Sequence, residues 1–119
     1  MAKLTFVQKG TFKNCRDYLA ECNVRVFFSR ELRMMVGIAP DSYESLSKEP
    51  IIYRMFVALC NPADEFKKKL GVIELCHRLE SDQYNLVRIL DNSIEFFVEE
   101  YMELFHNYGI SDFEEMKIN

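Results

Sequence analysis

The sequence predicts an α+β fold, a small and mostly antiparallel sheet of three or four strands covered by helices. Three observations predict it. Val24, Val26 and Phe28, and after them Leu32, Met34, Val36 and Ile38, alternate at the two-residue period of a strand. Residues 51–60 (IIYRMFVALC) are the most apolar run in the chain, of strand length and with a β-branched start. Val87, Leu90, Ile94, Phe97, Tyr101, Leu104 and Tyr108 recur at spacings of three and four within residues 81–108, which hold no Gly or Pro and so read as one long helix.

Taken in order, KLTFVQK (residues 3–9) suits a short strand that Gly10 ends. Thr11 then caps a helix from Phe12 to Cys22, with Phe12, Cys15, Leu19 and Cys22 on its inner stripe and Asn23 as its stop. The two alternating runs of residues 24–38 form a hairpin if Ser29–Glu31 is a tight connection. The alternative, a helical turn over Ser29–Val36, rests on the helix propensity of Glu, Leu, Arg and Met. Residues 39–50 carry two prolines and three serines and read as a loop, with one helical turn around Tyr43–Leu46. After the central strand, Asn61 suits a cap, Pro62 a first helical position, and Asp64 and Glu65 a first turn. That places a helix from Pro62 to about Glu80, with Lys67, Lys68 and Lys69 on its early turns and Phe66, Leu70, Ile73 and Cys76 or His77 inward. The long helix follows, closed by Gly109. The expected order is therefore β-α-β-β-β-α-α in one compact domain, residues 1–119, and residues 110–119 either dock through Ile110 and Phe113 or fray.

Composition fits a packed domain, with ten Phe, six Tyr and no Trp supplying large apolar area. The start of the chain is mixed and charged, unlike a secretory leader, and no apolar run approaches the roughly 18 residues of a membrane span. A cytoplasmic location is expected, with Cys15, Cys22, Cys60 and Cys76 as free thiols. Cys15 and Cys22 would lie two helical turns apart, too far for a disulfide.

Chemistry-bearing motifs are absent. Gly10, Gly37, Gly71 and Gly109 are scattered, so no phosphate loop exists, and there is no nucleophile elbow, zincin helix or EF-hand loop. Cys60 or Cys22 beside His77 or His106 would be a chance pairing. No enzymatic activity, metal or cofactor is expected.

Charge is more telling. Residues 91–119 carry eight Asp and Glu against one Lys, whereas residues 1–90 carry fourteen Lys and Arg against eleven Asp and Glu. On the long helix Asp91, Glu95, Glu99 and Glu103 succeed one another every four residues, and Glu100 adds to their field. Like charges at that spacing cost about 0.2–0.5 kcal/mol per pair in an isolated helix. The ridge is either solvated, paired with Lys67–Lys69 or the N-terminal arginines, or turned toward a partner with a basic surface. The apolar stripe beside it has heptad spacing, so a homodimer is a further expectation. The competing reading uses Lys9, Lys13, Arg16, Arg25, Arg30 and Arg33 as a nucleic-acid-binding surface, although no recognised nucleic-acid motif accompanies them.

Residues 56–81, FVALCNPADEFKKKLGVIELCHRLES, resemble a segment of small bacteriophage accessory proteins. There a strand ends in Cys, a Pro-x-Asp-x-Phe turn follows, and a helix carries Gly and then Arg; the matching residues here are Cys60, Pro62, Asp64, Phe66, Gly71 and Arg78. The resemblance covers about a fifth of the chain, and Leu75 and Cys76 stand where small residues are expected. It implies no catalytic residue. It implies a phage or mobile-element accessory protein, and by analogy one that binds and blocks a host or defence enzyme. Joined to the charge reading, the expectation is an anti-CRISPR-like protein that inhibits or modulates a host protein complex, such as a nucleic-acid-handling defence nuclease, through the acidic helix.

Overall fold

A computed structural model of the chain describes residues 2–41, 51–61, 63–89, 93–105 and 110–118, with the side chains of residues 2–11 and 51 excepted. Its elements are α1 (Ala2–Glu21), β1 (Arg25–Ser29), β2 (Met34–Pro40), β3 (Ile51–Leu59), α2 (Lys68–Glu80), β4 (Asn85–Ile89), α3 (Ile94–Glu103) and β5 (Glu114–Met116). The five strands form one antiparallel sheet in the order β4-β3-β2-β1-β5. The fold is α+β, as the patterning predicts, but with five strands rather than three or four.

Strand alternation sorts the core into two layers. Val26 and Phe28 of β1, Met35 and Ala39 of β2, and Phe56 and Ala58 of β3 face α1 and α2. They bury Cys15, Leu19, Val72, Ile73, Leu75, Cys76 and Leu79. Phe27, Met34, Val36, Ile38, Tyr53, Met55 and Ile89 face the other way and bury Ile94, Val98 and Met102 of α3. Gly37 leaves room for the ring of its cross-strand partner Phe56, since a Cβ there would lie 2.4 Å from that ring.

The hairpin reading of residues 24–38 holds, with residues 30–33 as its turn and Arg33 in the left-handed region at φ 54°. Asn23 ends α1 in the left-handed region, φ 58°. The Val24 N–H donates to the Leu19 carbonyl and the Asn23 N–H to that of Ala20, which together close a Schellman motif. Asp82 ends α2 in the same way, with Gln83 donating to Arg78 and Asp82 to Leu79.

Three expectations need correction. Residues 3–9 belong to α1, not to a strand, and Gly10 lies within that helix; a glycine costs about 1 kcal/mol in a helix interior and does not by itself end one. The helix after the central strand begins at Lys68, because Asn61 caps a local turn instead, its Oδ1 accepting from the Ala63 N–H at 2.9 Å. The stretch 81–108 is not one helix. Residues 85–89 pair with residues 51–55 of β3 as β4, and α3 occupies only 94–103. Within NLVRI the strand and helix periods cannot be told apart over five residues, and the unpaired edge of β3 decides between them. Of the two outcomes expected for the tail, docking is the one observed: Ile110 and Phe113 pack on the core, β5 pairs with β1 and Ile118 is buried beyond it. The observed order is α-β-β-β-α-β-α-β. Residues 42–50, with the expected turn at Tyr43–Leu46, lie outside the described residues, as do Pro62, Leu90, Tyr108 and Gly109.

The tail is fixed by one carboxylate. Asp112 accepts from the buried Ser29 hydroxyl at 2.7 Å and from the Arg30 and Glu31 N–H groups at 2.8 and 3.0 Å, so it binds the β1–β2 turn from the far end of the chain. Burial opposes its ionisation, but the hydrogen bonds from Ser29, Glu31 and Arg30 outweigh burial and hold it below the ordinary aspartate range. Beside it, Arg25 forks onto Glu115 at 2.8 and 2.7 Å, which lowers the Glu115 pKa against the opposing effect of burial.

Candidate protein-binding surface

Helix α3 is the one helix packed on its side of the sheet among the described residues. Ile94, Val98 and Met102, spaced by four, point into the sheet, and Phe97 and Tyr101 flank them half-buried. A helix advances 100° per residue, so Phe96, Glu99, Glu100 and Glu103 fall within an arc of about 100° opposite the buried line. Phe96 is 60% exposed at the centre of that arc. Just past the helix end, Leu104 is 80% and Phe105 56% exposed, the latter edge-on to Tyr101 at 5.4 Å. The outer face is thus apolar anchors interleaved with carboxylates, and Leu104 belongs to it rather than to the inward stripe the sequence suggests.

Of the residues expected to form the acidic ridge, Glu95, Glu100 and Glu103 are exposed and Glu99 is half-buried, while Asp91 lies outside the described residues. None of the four described carboxylates makes an ion pair or hydrogen bond among the described residues. The hydrogen bonds to Glu115 raise the pKa of Arg25, and the charge of Glu95 adds a smaller push, so the Arg25 guanidinium is committed to Glu115. Pairing of the ridge with Lys67–Lys69 is ruled out by topology. Those lysines start α2, across the sheet from α3, and two helices flanking a sheet lie roughly 20 Å apart, about two Debye lengths at physiological salt.

The N-terminal basic residues do not form one surface. Lys13 is exposed on α1. Arg16 lies 3.7 Å from Asp17 and over the Phe12 ring, and Arg30 lies over Phe28. Arg25 faces the α3 side, over Phe27. Arg33 is structural, donating to the backbone carbonyls of Asn61 and Asp64. The Lys9 backbone is part of α1, and its side chain is not described.

No catalytic arrangement emerges among the described residues. Burial raises the pKa of Cys15 and that of Cys76, and the Cys76 thiol donates to Glu80 at 3.4 Å, so both stay protonated. Cys60 lies among the backbone carbonyls of Asn61, Asp64 and Glu65, and His77 is exposed. No three His, Cys, Asp or Glu side chains come together around a metal-sized space among the described residues. An open cleft of about 390 Å³ lies where β4 begins, lined by Phe56, Arg78, Asp82, Tyr84, Asn85 and Tyr101 among others. It holds no nucleophile beside a base. No described helix is long and apolar enough to cross a membrane.

Missed by sequence reasoning were the exposure of Phe96 and Phe105 and the gathering of Lys68 and Lys69 beside Arg30 and Arg16. Phe96 could have been found, since it lies off the three-four stripe. The lysine placement could not, because it depends on how α2 crosses the sheet. Compared with protein-family models, curated proteins and solved structures, the chain matches none.

Proposed function

We propose that the protein acts by binding, and that the outer face of α3 docks onto a basic surface of a host protein complex to inhibit or modulate it. Phe96, Leu104 and Phe105 are the apolar anchors; Glu95, Glu99, Glu100 and Glu103 supply the charge complement. The observation that carries this reading is the exposed Phe96 set among carboxylates that no cation of the described chain neutralises. Large apolar side chains left in water beside uncompensated like charges cost solvation and repulsion, and a basic partner relieves both. Aromatic anchors within a polar rim are also the usual composition of interface hot spots.

The partner class that fits is a nucleic-acid-handling enzyme, such as a defence nuclease, whose groove binds phosphates. Carboxylates spaced along a helix would occupy it in their place, the anti-CRISPR-like mode that the resemblance of residues 56–81 also implies. The test is capture of the partner by the wild-type chain, followed by affinity measurement with the purified pair. The triple variant Glu95→Lys, Glu99→Lys, Glu103→Lys is expected to abolish binding while keeping the wild-type circular dichroism spectrum. Phe96→Ala is expected to weaken binding by about 30-fold or more, the loss of a hot-spot side chain worth about 2 kcal/mol. A triple variant that binds as tightly as wild type ends the proposal.

A further inference from the structure

We propose that the opposite face, where α1 meets the start of α2, binds single-stranded nucleic acid through its phosphodiester backbone. This goes beyond the α3 reading, as it concerns a different surface and a different class of ligand. It also differs from the basic set the sequence suggests, because Arg25 and Arg33 drop out and the α2 lysines enter.

Three segments distant in sequence converge there. The Lys68 ammonium lies 5.0 Å from the centroid of Phe28, and the Arg30 guanidinium 5.9 Å from the same ring. The Lys69 ammonium lies 5.4 Å from the centroid of Phe12, and the Arg16 guanidinium 5.9 Å from it. Each ring therefore holds two cations from different elements within about 11 Å of one another. Consecutive residues of α2 bridge the two sites, and Phe66 stacks on Phe28 at 6.3 Å. Lys13 and Lys67 extend the patch and are exposed.

Packing explains part of this. Phe28 is buried, and the stem of Lys68 covers it. Packing does not explain why Lys67 and Lys69 are exposed with no ion-pair partner among the described residues. Among the described residues Arg16 is the one cation of this face in an ion pair, with Asp17, and the exposed carboxylates of Asp64 and Glu65 just before the lysine run pair with none of them. Gathered like charges need an anion, and ammonium groups act as point charges toward phosphate. Phe12 and Phe66, half-exposed between the cations, offer flat apolar area to an unstacked base, which an acidic peptide would not use. Among the described residues of this face no side chain is held by hydrogen bonds to read a base edge, so the expected recognition is independent of sequence.

The experiment is fluorescence anisotropy of a labelled oligo(dT) 20-mer with the full chain at several salt concentrations. Four phosphate contacts give a log–log salt slope of about −2.8, or binding about 50-fold weaker at 200 mM than at 50 mM salt. The double variant Lys67→Glu, Lys69→Glu changes two exposed residues and is expected to weaken binding at least tenfold and to flatten the slope by about 1.4. Its circular dichroism is expected to match wild type. Should it unfold, Lys69→Gln with Arg16→Gln makes the same test with less charge. No anisotropy change at 50 mM salt overturns the proposal, as does binding that neither variant weakens. Competition by a poly-glutamate peptide as effective as unlabelled oligonucleotide, or tighter binding to a 20-base-pair duplex, overturns the ligand assignment.

Discussion

The two sides of the sheet solve the same burial problem with unequal amounts of helix and unlike outward charge, mixed on one side and acidic on the other. One side is covered by α1 and α2, which contribute seven buried side chains between them and turn outward both Lys13, Arg16, Lys68 and Lys69 and the carboxylates of Asp17, Glu21, Glu74 and Glu80. The other is covered by the ten residues of α3, which bury Ile94, Val98 and Met102 and turn Glu95, Glu99, Glu100 and Glu103 outward. What a helix buries is dictated by the strand faces beneath it. What it shows to water is not, so the outward sign is free to follow binding. On the α1 and α2 side the outward signs are mixed, whereas α3 carries carboxylates and no cation, so the charge asymmetry of the molecule is concentrated on α3.

The thinner layer should be the easier one to break. Met102→Ala removes one of only three fully anchored α3 side chains and is expected to cost about 2–5 kcal/mol in urea unfolding. Hydrogen exchange should rise first in residues 94–103. If exchange rises equally in α1 and α2, the two layers are a single cooperative unit and the contrast fails.

A smaller effect is expected at the seam that both layers share. Asp112→Asn weakens three hydrogen bonds to the β1–β2 turn and is expected to cost about 1–3 kcal/mol. The folded-state pKa of Asp112 lies below its unfolded value of about 3.9, so its contribution is complete above that pH and is lost as pH falls through the folded pKa. Glu115 has the same sign. Wild-type stability should therefore decline below about pH 4, and the variant should decline less steeply. An unchanged acid limb would mean that Asp112 is not the group tying the tail.

The smallest effect bears on charge alone. Glu99→Gln removes the like-charge pairs with Glu95 and Glu103 and should raise stability by about 0.2–0.5 kcal/mol per pair. Measured by thermal unfolding at low salt, a loss of stability instead would indicate that Glu99, which is half-buried, has a structural partner and that the ridge is not kept for binding.

The features legible in sequence were those set by local pattern. Alternation placed the hairpin of residues 24–38, and the apolar run placed β3 between two neighbours, where such runs belong. Asn23 stopped α1 as expected. Elements decided by distant contacts were not legible. Residues 85–89 become a strand because β3 offers them an edge, and residues 114–116 because β1 does. The acidic ridge was legible only within one element. Its members from Glu95 to Glu103 share α3, whereas the stripe residue Val87 belongs to a strand.

The bond from Ser29 to Asp112 spans 83 residues, and it sets a schedule for synthesis. At roughly 5–20 residues per second, a ribosome needs about 4 to 17 seconds to deliver Asp112 after Ser29. During that interval the first hairpin has emerged with its turn amides unsatisfied and the outer edge of β1 open to any passing strand. The β1 edge therefore stays open to mispairing until residues 112–116 have been made. Slowing translation between the codons of Ser29 and Asp112 should lower the soluble yield more than slowing it before Ser29.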